Sequence, residues 1–125
     1  MINSNIKLGL TVVLYAFFTG AIANAESGSN LWLKTCSACH GVDGSGSTPM
    51  GKRMLLPDFR DEKVQKSLSD EMIQSALLNG LKRNKDGMLK IMPAYKHLSE
   101  PMRLLLQKHL RTFLAAPKPE TPPTK

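Results

Sequence analysis

The chain has 125 residues, 42% of them hydrophobic, and its 17 Lys and Arg against 10 Asp and Glu give a formal net charge of +7. This length and composition fit one small soluble domain. The positive charge would suit a nucleic-acid-binding protein, but the chain lacks the interleaved aromatic pattern of that class and begins with an export signal, which argues against it.

The beginning of the chain has the pattern of a secretory signal peptide. Met1–Lys7 is polar with one cation, Leu8–Ala23 is an uncharged apolar run, and Ala23-Asn24-Ala25 resembles a cleavage site. The apolar run is shorter than the ~20 residues of a membrane-spanning helix, which disfavours the alternative of an uncleaved anchor. We therefore predict cleavage after Ala25 and a periplasmic protein without stable membrane insertion.

Three helical patterns follow the signal, and no strand pattern competes with them. The first runs from about Ser29 to Cys39, with Ser27 or Ser29 as its N-cap. Glycines from Gly41 onwards end this helix. The pattern predicts an all-α fold.

The second and third helices have clearer boundaries. The second follows Ser69 as N-cap and ends before Gly80, a left-handed terminator. The third follows Ser99 and has Pro101 in its first turn, where a missing N–H has little effect. Both helices carry apolar stripes, formed by Met72, Ile73, Ala76 and Leu77 in the second and by Met102, Leu105, Leu106, His109, Leu110, Phe113 and Leu114 in the third.

Long loops fill the rest of the domain, which we predict to span residues 26–115. These loops are Gly41–Lys66 and Leu81–Leu98. Compact domains rarely keep two long loops unless the loops wrap something, so a bound group larger than a side chain is indicated. The proline-rich segment 116–125 is typical of an extended, disordered tail.

The segment "TCSACHG" contains both cysteines of the chain. In a helical turn Cys36, Cys39 and His40 would project from one face. C-x-x-C-H is the attachment motif of c-type haem, because two thiols one turn apart can each add across a vinyl group of one porphyrin edge. We therefore predict one covalent haem c, attached through Cys36 and Cys39, with His40 as the proximal iron ligand.

Two other interpretations of the cysteine pair are weaker. A thioredoxin-type disulfide would need a strand before Cys36 and a helix after Cys39, whereas a helix precedes and glycines follow. A zinc site would need two more ligands, and the three histidines of the chain supply no second pair at finger-like spacing.

A methionine is the predicted distal ligand of the iron, because histidine plus methionine closes the site and raises the reduction potential. Met92 is favoured, since Pro93 biases it towards an extended backbone, and Met88 is the runner-up. Met72 and Met102 lie on helical stripes and are expected to pack in the core.

Four other side chains are weaker candidates for the distal iron ligand. Met50 and Met54 follow the haem motif closely, in a basic loop. A lone histidine usually packs against other side chains or is exposed at the surface. His97 and His109 are therefore disfavoured as iron ligands.

The sequence resembles a class I c-type cytochrome over nearly all of residues 28–114. The matching segments are "LWLKTCSACHGVDGSG", "LLPDF", "LSDEMIQSALLNGL", "MPAY" and "LSEPMRLLLQKHLRTF". The resemblance implies a fold of about three to five helices wrapped around one haem, with thioether links at Cys36 and Cys39, His40 as proximal and Met92 as distal ligand. It also implies that the Pro57 carbonyl accepts a hydrogen bond from the proximal imidazole.

The resemblance further implies that the first and last helices cross. Trp32 and Leu33 would then contact His109, Leu110 and Phe113. The family usually has tyrosine where His109 stands, so this contact is expected to be polar or sensitive to pH.

The expected function is electron transfer by reversible Fe(III)/Fe(II) cycling, without catalysis. Two alternatives remain, a dedicated haem subunit of a periplasmic oxidoreductase, and a ligand-binding or peroxidatic haem protein with a displaceable distal methionine. The expected partners are redox proteins with acidic docking surfaces, guided by cations beside the haem edge. These cations are Lys52, Arg53, Lys82, Arg83, Lys85 and Lys90.

Overall fold

The structure, a computed structural model, describes residues 26–85 and 87–115. The signal peptide predicted at residues 1–25 and the tail predicted at residues 116–125 lie outside the described residues. No helix in the described ranges combines the length and apolarity needed to cross a membrane.

Six α-helices and one β-hairpin form the described part of the chain. The helices are α1 (Gly28–Thr35), α2 (Ser37–His40), α3 (Pro49–Met54), α4 (Glu62–Ser67), α5 (Asp70–Asn79) and α6 (Glu100–Thr112), which continues into a 3-10 turn over Phe113–Ala115. The hairpin consists of the antiparallel strands β1 (Leu81–Lys85) and β2 (Met88–Met92). The fold is rich in helix, as predicted, but the prediction that it has no strand is wrong.

The first predicted helix is divided in two at Cys36. The Ser27 hydroxyl caps α1 by accepting a hydrogen bond of 3.1 Å from the N–H of Asn30. At Cys36 the backbone departs from regular helix (φ −116°), and its carbonyl accepts the N–H of both Cys39 and His40. The short helix α2 therefore carries the second cysteine and the histidine on a turn of their own.

The second and third predicted helices are α5 and α6, with boundaries as expected. The Ser69 hydroxyl caps α5, and Gly80 ends it with a left-handed φ of 71°. Helix α6 begins after Ser99 and has a proline in its first turn, although the Ser99 hydroxyl makes no capping hydrogen bond.

The two predicted loops contain further regular elements. The first holds α3, capped by Thr48, and α4, capped by Asp61. The second holds the hairpin. Each of these helices has only six residues, too few for a hydrophobic period to show, and the hairpin strands are rich in cations, so sequence periodicity missed them.

The core forms where α1 crosses α6. The Trp32 ring lies 4.8 Å from the Phe113 ring and 5.8 Å from the His109 ring, as predicted. Leu33, which was predicted to share this contact, is 53% exposed and is not part of the buried core. The most buried core side chain is Leu106, at 2% exposed.

A polar clamp ties α4 and α5 to the end of α6. Nε2 of the buried Gln65 donates to the carbonyls of Phe59 (2.6 Å) and Leu110 (3.0 Å). The Arg111 guanidinium donates to the Gln65 side chain at 2.9 Å and to the Asp70 carboxylate at 2.6 Å. Because buried polar groups are satisfied in this way, the clamp fixes α5 as one wall of the cavity described below.

Candidate haem site

A cavity of about 500 Å³ opens into the core. Its walls come from α1 and α2, residues 54–59, α5, the hairpin and α6. Most of the core side chains, among them Trp32, Phe59 and Leu106, also line it. Its volume lies within the ~300–1,000 Å³ of small-molecule and cofactor sites.

Both cysteines line this cavity, as free thiols. Cys36 is buried and Cys39 is half-buried. Burial, with a smaller effect from the charge of Cys39, raises the pKa of the Cys36 thiol to about 11. Cys36 therefore stays protonated at neutral pH. The kink at Cys36 and the turn that follows it place both cysteines in the lining of one cavity.

The His40 side chain also lines the cavity and is held by two aromatic rings. Its ring stacks on Phe59 at 5.1 Å between centroids, with 21° between the planes. The Trp32 ring lies 5.8 Å away on a tilted plane. Burial lowers the pKa of the imidazole, because it disfavours the charged form. His40 is thus neutral, which is the state that binds a metal.

The predicted hydrogen bond between His40 and Pro57 is not formed in the structure. Nδ1 of His40 is buried and has no hydrogen-bond partner among the described residues. Pro57 lines the same cavity, so its assigned role remains a prediction for the haem-loaded protein. The unpaired Nδ1 leaves room for that bond, and a neutral imidazole beside two thiols is a donor set that suits haem c.

Backbone contacts hold the haem motif against the loop that follows it. The Thr48 hydroxyl donates to the Cys39 carbonyl at 2.6 Å, and the Gly46 N–H donates to the His40 carbonyl at 2.8 Å. A side chain on Gly51 would collide with the carbonyls of Gly46 and Cys39. Sequence reasoning missed Thr48 and Gly51, although the Thr-Pro start of α3 was a visible signal.

Met92 ends strand β2 and lines the cavity from the hairpin. Its backbone is extended, as predicted from the following Pro93. The close approach of Gly80 supports its position, because a Cβ there would lie 2.6 Å from the Met92 carbonyl oxygen. The structure therefore brings Met92 to the same cavity as Cys36, Cys39 and His40.

Met54 and Met72 line the cavity as well. The expectation that Met72 packs in the core is wrong, because its side chain is 48% exposed and lies on the cavity wall. Met88 begins β2, with its Cα opposite that of Lys85. Among the described histidines, His40 is the one that lines the cavity, whereas His97 and His109 lie outside it.

Comparison with known proteins agrees with this site. Residues 23–102 match the family model described as "Cytochrome C oxidase, cbb3-type, subunit III". A solved structure, "KustC0563 c-type cytochrome", is 30% identical to this chain with a TM-score of 0.56, and the match covers 70% of this chain and 98% of that chain. Comparison with curated proteins gives no match. The chain therefore belongs to the c-type cytochrome family, whose members carry covalently bound haem c.

Proposed function

We propose that this chain is an exported monohaem electron carrier with His40 and Met92 as axial ligands. One observation carries the proposal: a single cavity is lined by both cysteines, His40 and Met92, which come from opposite halves of the domain. A bound haem would supply an iron that alternates between the ferric and ferrous states.

The side chains of the cavity would each have a defined task. Cys36 and Cys39 anchor the porphyrin edge, and Phe59 and Trp32 orient the neutral imidazole of His40. Apolar walls from α5 and α6 exclude water from the metal. A histidine and methionine pair leaves no open position for a substrate, which supports electron transfer rather than catalysis.

Export to the periplasm is part of the proposal. It rests on the signal pattern of residues 1–25, and covalent haem attachment to such motifs takes place outside the bacterial cytoplasm. Mass spectrometry of protein from the periplasmic fraction should give an N-terminus at Glu26. Recovery of full-length chain in the membrane fraction would contradict cleavage.

Acidic redox proteins are the proposed partners. Lys52 and Arg53 on α3 are exposed, and Leu55, two residues after Arg53, is 69% exposed and lines the cavity. An apolar rim with cations suits brief encounters steered by charge. The rate of electron exchange with an acidic partner should fall as the salt concentration rises, because salt screens this attraction. A rate independent of salt would contradict charge steering.

A second candidate function is that of a haem subunit fixed in an oxidoreductase complex. The family model that the chain matches is named for an oxidase subunit, which favours this alternative. Affinity purification of the tagged chain from its native cells separates the two. A free carrier elutes alone, whereas a subunit elutes with stoichiometric partners.

The distal ligand is tested by replacing each candidate methionine in turn. Met92→Leu should abolish the far-red charge-transfer band between methionine sulfur and ferric iron. It should also allow carbon monoxide to bind the ferrous form. Met54→Leu and Met72→Leu are matched controls from the same cavity, and Met88→Leu tests the runner-up. Loss of the band in any variant other than Met92→Leu would overturn the assignment.

A further inference from the structure

Two cations face each other across the hairpin. The strand register places Arg83 opposite Lys90, next to the pair of Leu81 and Met92. Side chains that are opposite in an antiparallel pair lie on the same face, where like charges are destabilising. All four of these side chains line the cavity, so the hairpin presents an unfavourable pair of charges to the haem site.

The cavity contains no acid to offset these cations. Among its lining residues, all of them described, there is no Asp or Glu. The salt bridges between described residues join Lys34, Arg60, Lys66 and Arg111 to acids elsewhere, and none involves Arg83 or Lys90. An anion between the two cations would relieve their repulsion.

The positions of Arg83 and Lys90 indicate which kind of anion could bind between them. Arg83 and Lys90 lie two residues from Leu81 and Met92 along their strands, about 7 Å at ~3.3 Å per residue. Arg83 is exposed and Lys90 is half-buried, so the pair marks the boundary between cavity and solvent. A ligand held there would have its apolar body inside and its charged groups at the rim.

We propose that Arg83 and Lys90 form a carboxylate-binding subsite that holds the two propionate groups of the haem. This proposal rests on the proposed function, since it requires the haem to occupy this cavity. Haem carries its propionates on the edge away from the vinyl groups, which the thiols of Cys36 and Cys39 would consume. The hairpin would then fix one edge of the porphyrin and the haem motif the other.

The experiment compares haem-loaded Arg83→Gln, Lys90→Gln and the double variant with wild type. Lys82→Gln is the matched control, because it removes the same charge one residue away, at a residue that does not line the cavity. Reduction potentials are measured by spectroelectrochemistry, and the propionate carboxylates by redox-induced infrared difference spectra. Arg83→Lys tests rescue by a conservative change.

The expected result is a lower reduction potential in both single variants. In the double variant we expect the ratio of ferric to ferrous protein at a fixed ambient potential to rise about tenfold, which corresponds to ~59 mV for a one-electron couple. The carboxylate bands should shift in these variants and stay unchanged in Lys82→Gln. Arg83→Lys should recover most of the wild-type values.

Carboxylate bands that stay unchanged in the double variant would overturn the proposed subsite. It would also be overturned if Lys82→Gln changed the bands and the reduction potential as much as the double variant does. The pyridine haemochrome spectrum of wild type separates this failure from failure of the proposed function. If wild type carries covalent haem and the bands do not respond, only the subsite is wrong. If wild type carries no haem, the proposed function fails and the subsite fails with it.

Discussion

At Gly28 the backbone of α1 lies close against α6. A Cβ there would collide with the Leu105 carbonyl oxygen and lie 2.9 Å from Cβ of His109. Because a helix backbone cannot move aside as a flexible side chain can, we expect Gly28→Val to lower the free energy of unfolding by about 1–3 kcal/mol. Urea titration of the haem-loaded protein measures this loss. Ser29→Val, at an exposed neighbouring position, is the control, and an equal loss in both would contradict close packing at Gly28.

His109 gives the helix crossing a dependence on pH. Burial lowers the pKa of its imidazole, so below the ordinary value of ~6.5 the unfolded chain binds more protons than the folded one. The free energy of unfolding should therefore fall as the pH drops through 6.5 towards the lowered pKa of the folded state. His109→Gln should reduce this fall in urea titrations between pH 7 and 5. The same pH dependence in wild type and variant would show that His109 does not contribute.

Two glycines that join secondary-structure elements can be compared directly. Gly80 connects α5 to β1, and Gly87 lies in the hairpin turn. Gly80 and Gly87 have nearly the same left-handed φ, 71° and 72°. A Cβ on Gly80 would press on the Met92 carbonyl at 2.6 Å, whereas a Cβ on Gly87 meets open space. Alanine should strain the backbone at both positions by about 1–2 kcal/mol. Only Gly80→Ala should also displace β2 and weaken the sulfur-to-iron band, and equal spectra would contradict this.

The elements that sequence predicted are those with strong local signals. Helices α5 and α6 have capping residues and apolar stripes long enough to show the helical period. The hairpin had one such signal, the sequence Asp86-Gly87, which is typical of tight turns. Strand β1 has four polar residues in a row after Leu81, and β2 has apolar residues on both sides of Lys90, so neither strand alternates apolar with polar residues. β-Branched residues are also scarce, so no strand pattern was visible.

The sequence could predict those site residues whose role is indicated by their neighbours in the chain. The spacing of Cys36, Cys39 and His40 follows from attachment to one porphyrin edge, and Met92 was indicated by its neighbour Pro93. The support around His40 could not be predicted in this way. Phe59 stacks on the His40 ring, and Thr48 holds the carbonyl of the neighbouring Cys39, and neither contact leaves a periodic trace in the sequence.

In the whole molecule, most side chains of the buried core also line the cavity. Without the haem, these side chains would surround about 500 Å³ of space, and removing apolar contacts of this kind weakens a core. We therefore expect the Cys36→Ala/Cys39→Ala double variant to be poorly folded, with weak helical circular dichroism and no cooperative thermal transition. Ser37→Ala, between the two cysteines, should keep the haem and fold normally. A cooperative transition in the double variant would contradict a haem-dependent core.

The covalent bond between haem and the two cysteines underlies every role proposed above. The pyridine haemochrome spectrum of the exported protein, combined with its intact mass, tests this bond directly. We predict a spectrum in which both vinyl groups have been consumed and a mass increased by one haem, and both features should be lost in the double cysteine variant. Colourless protein with free thiols or a disulfide, and no added mass, would contradict the account.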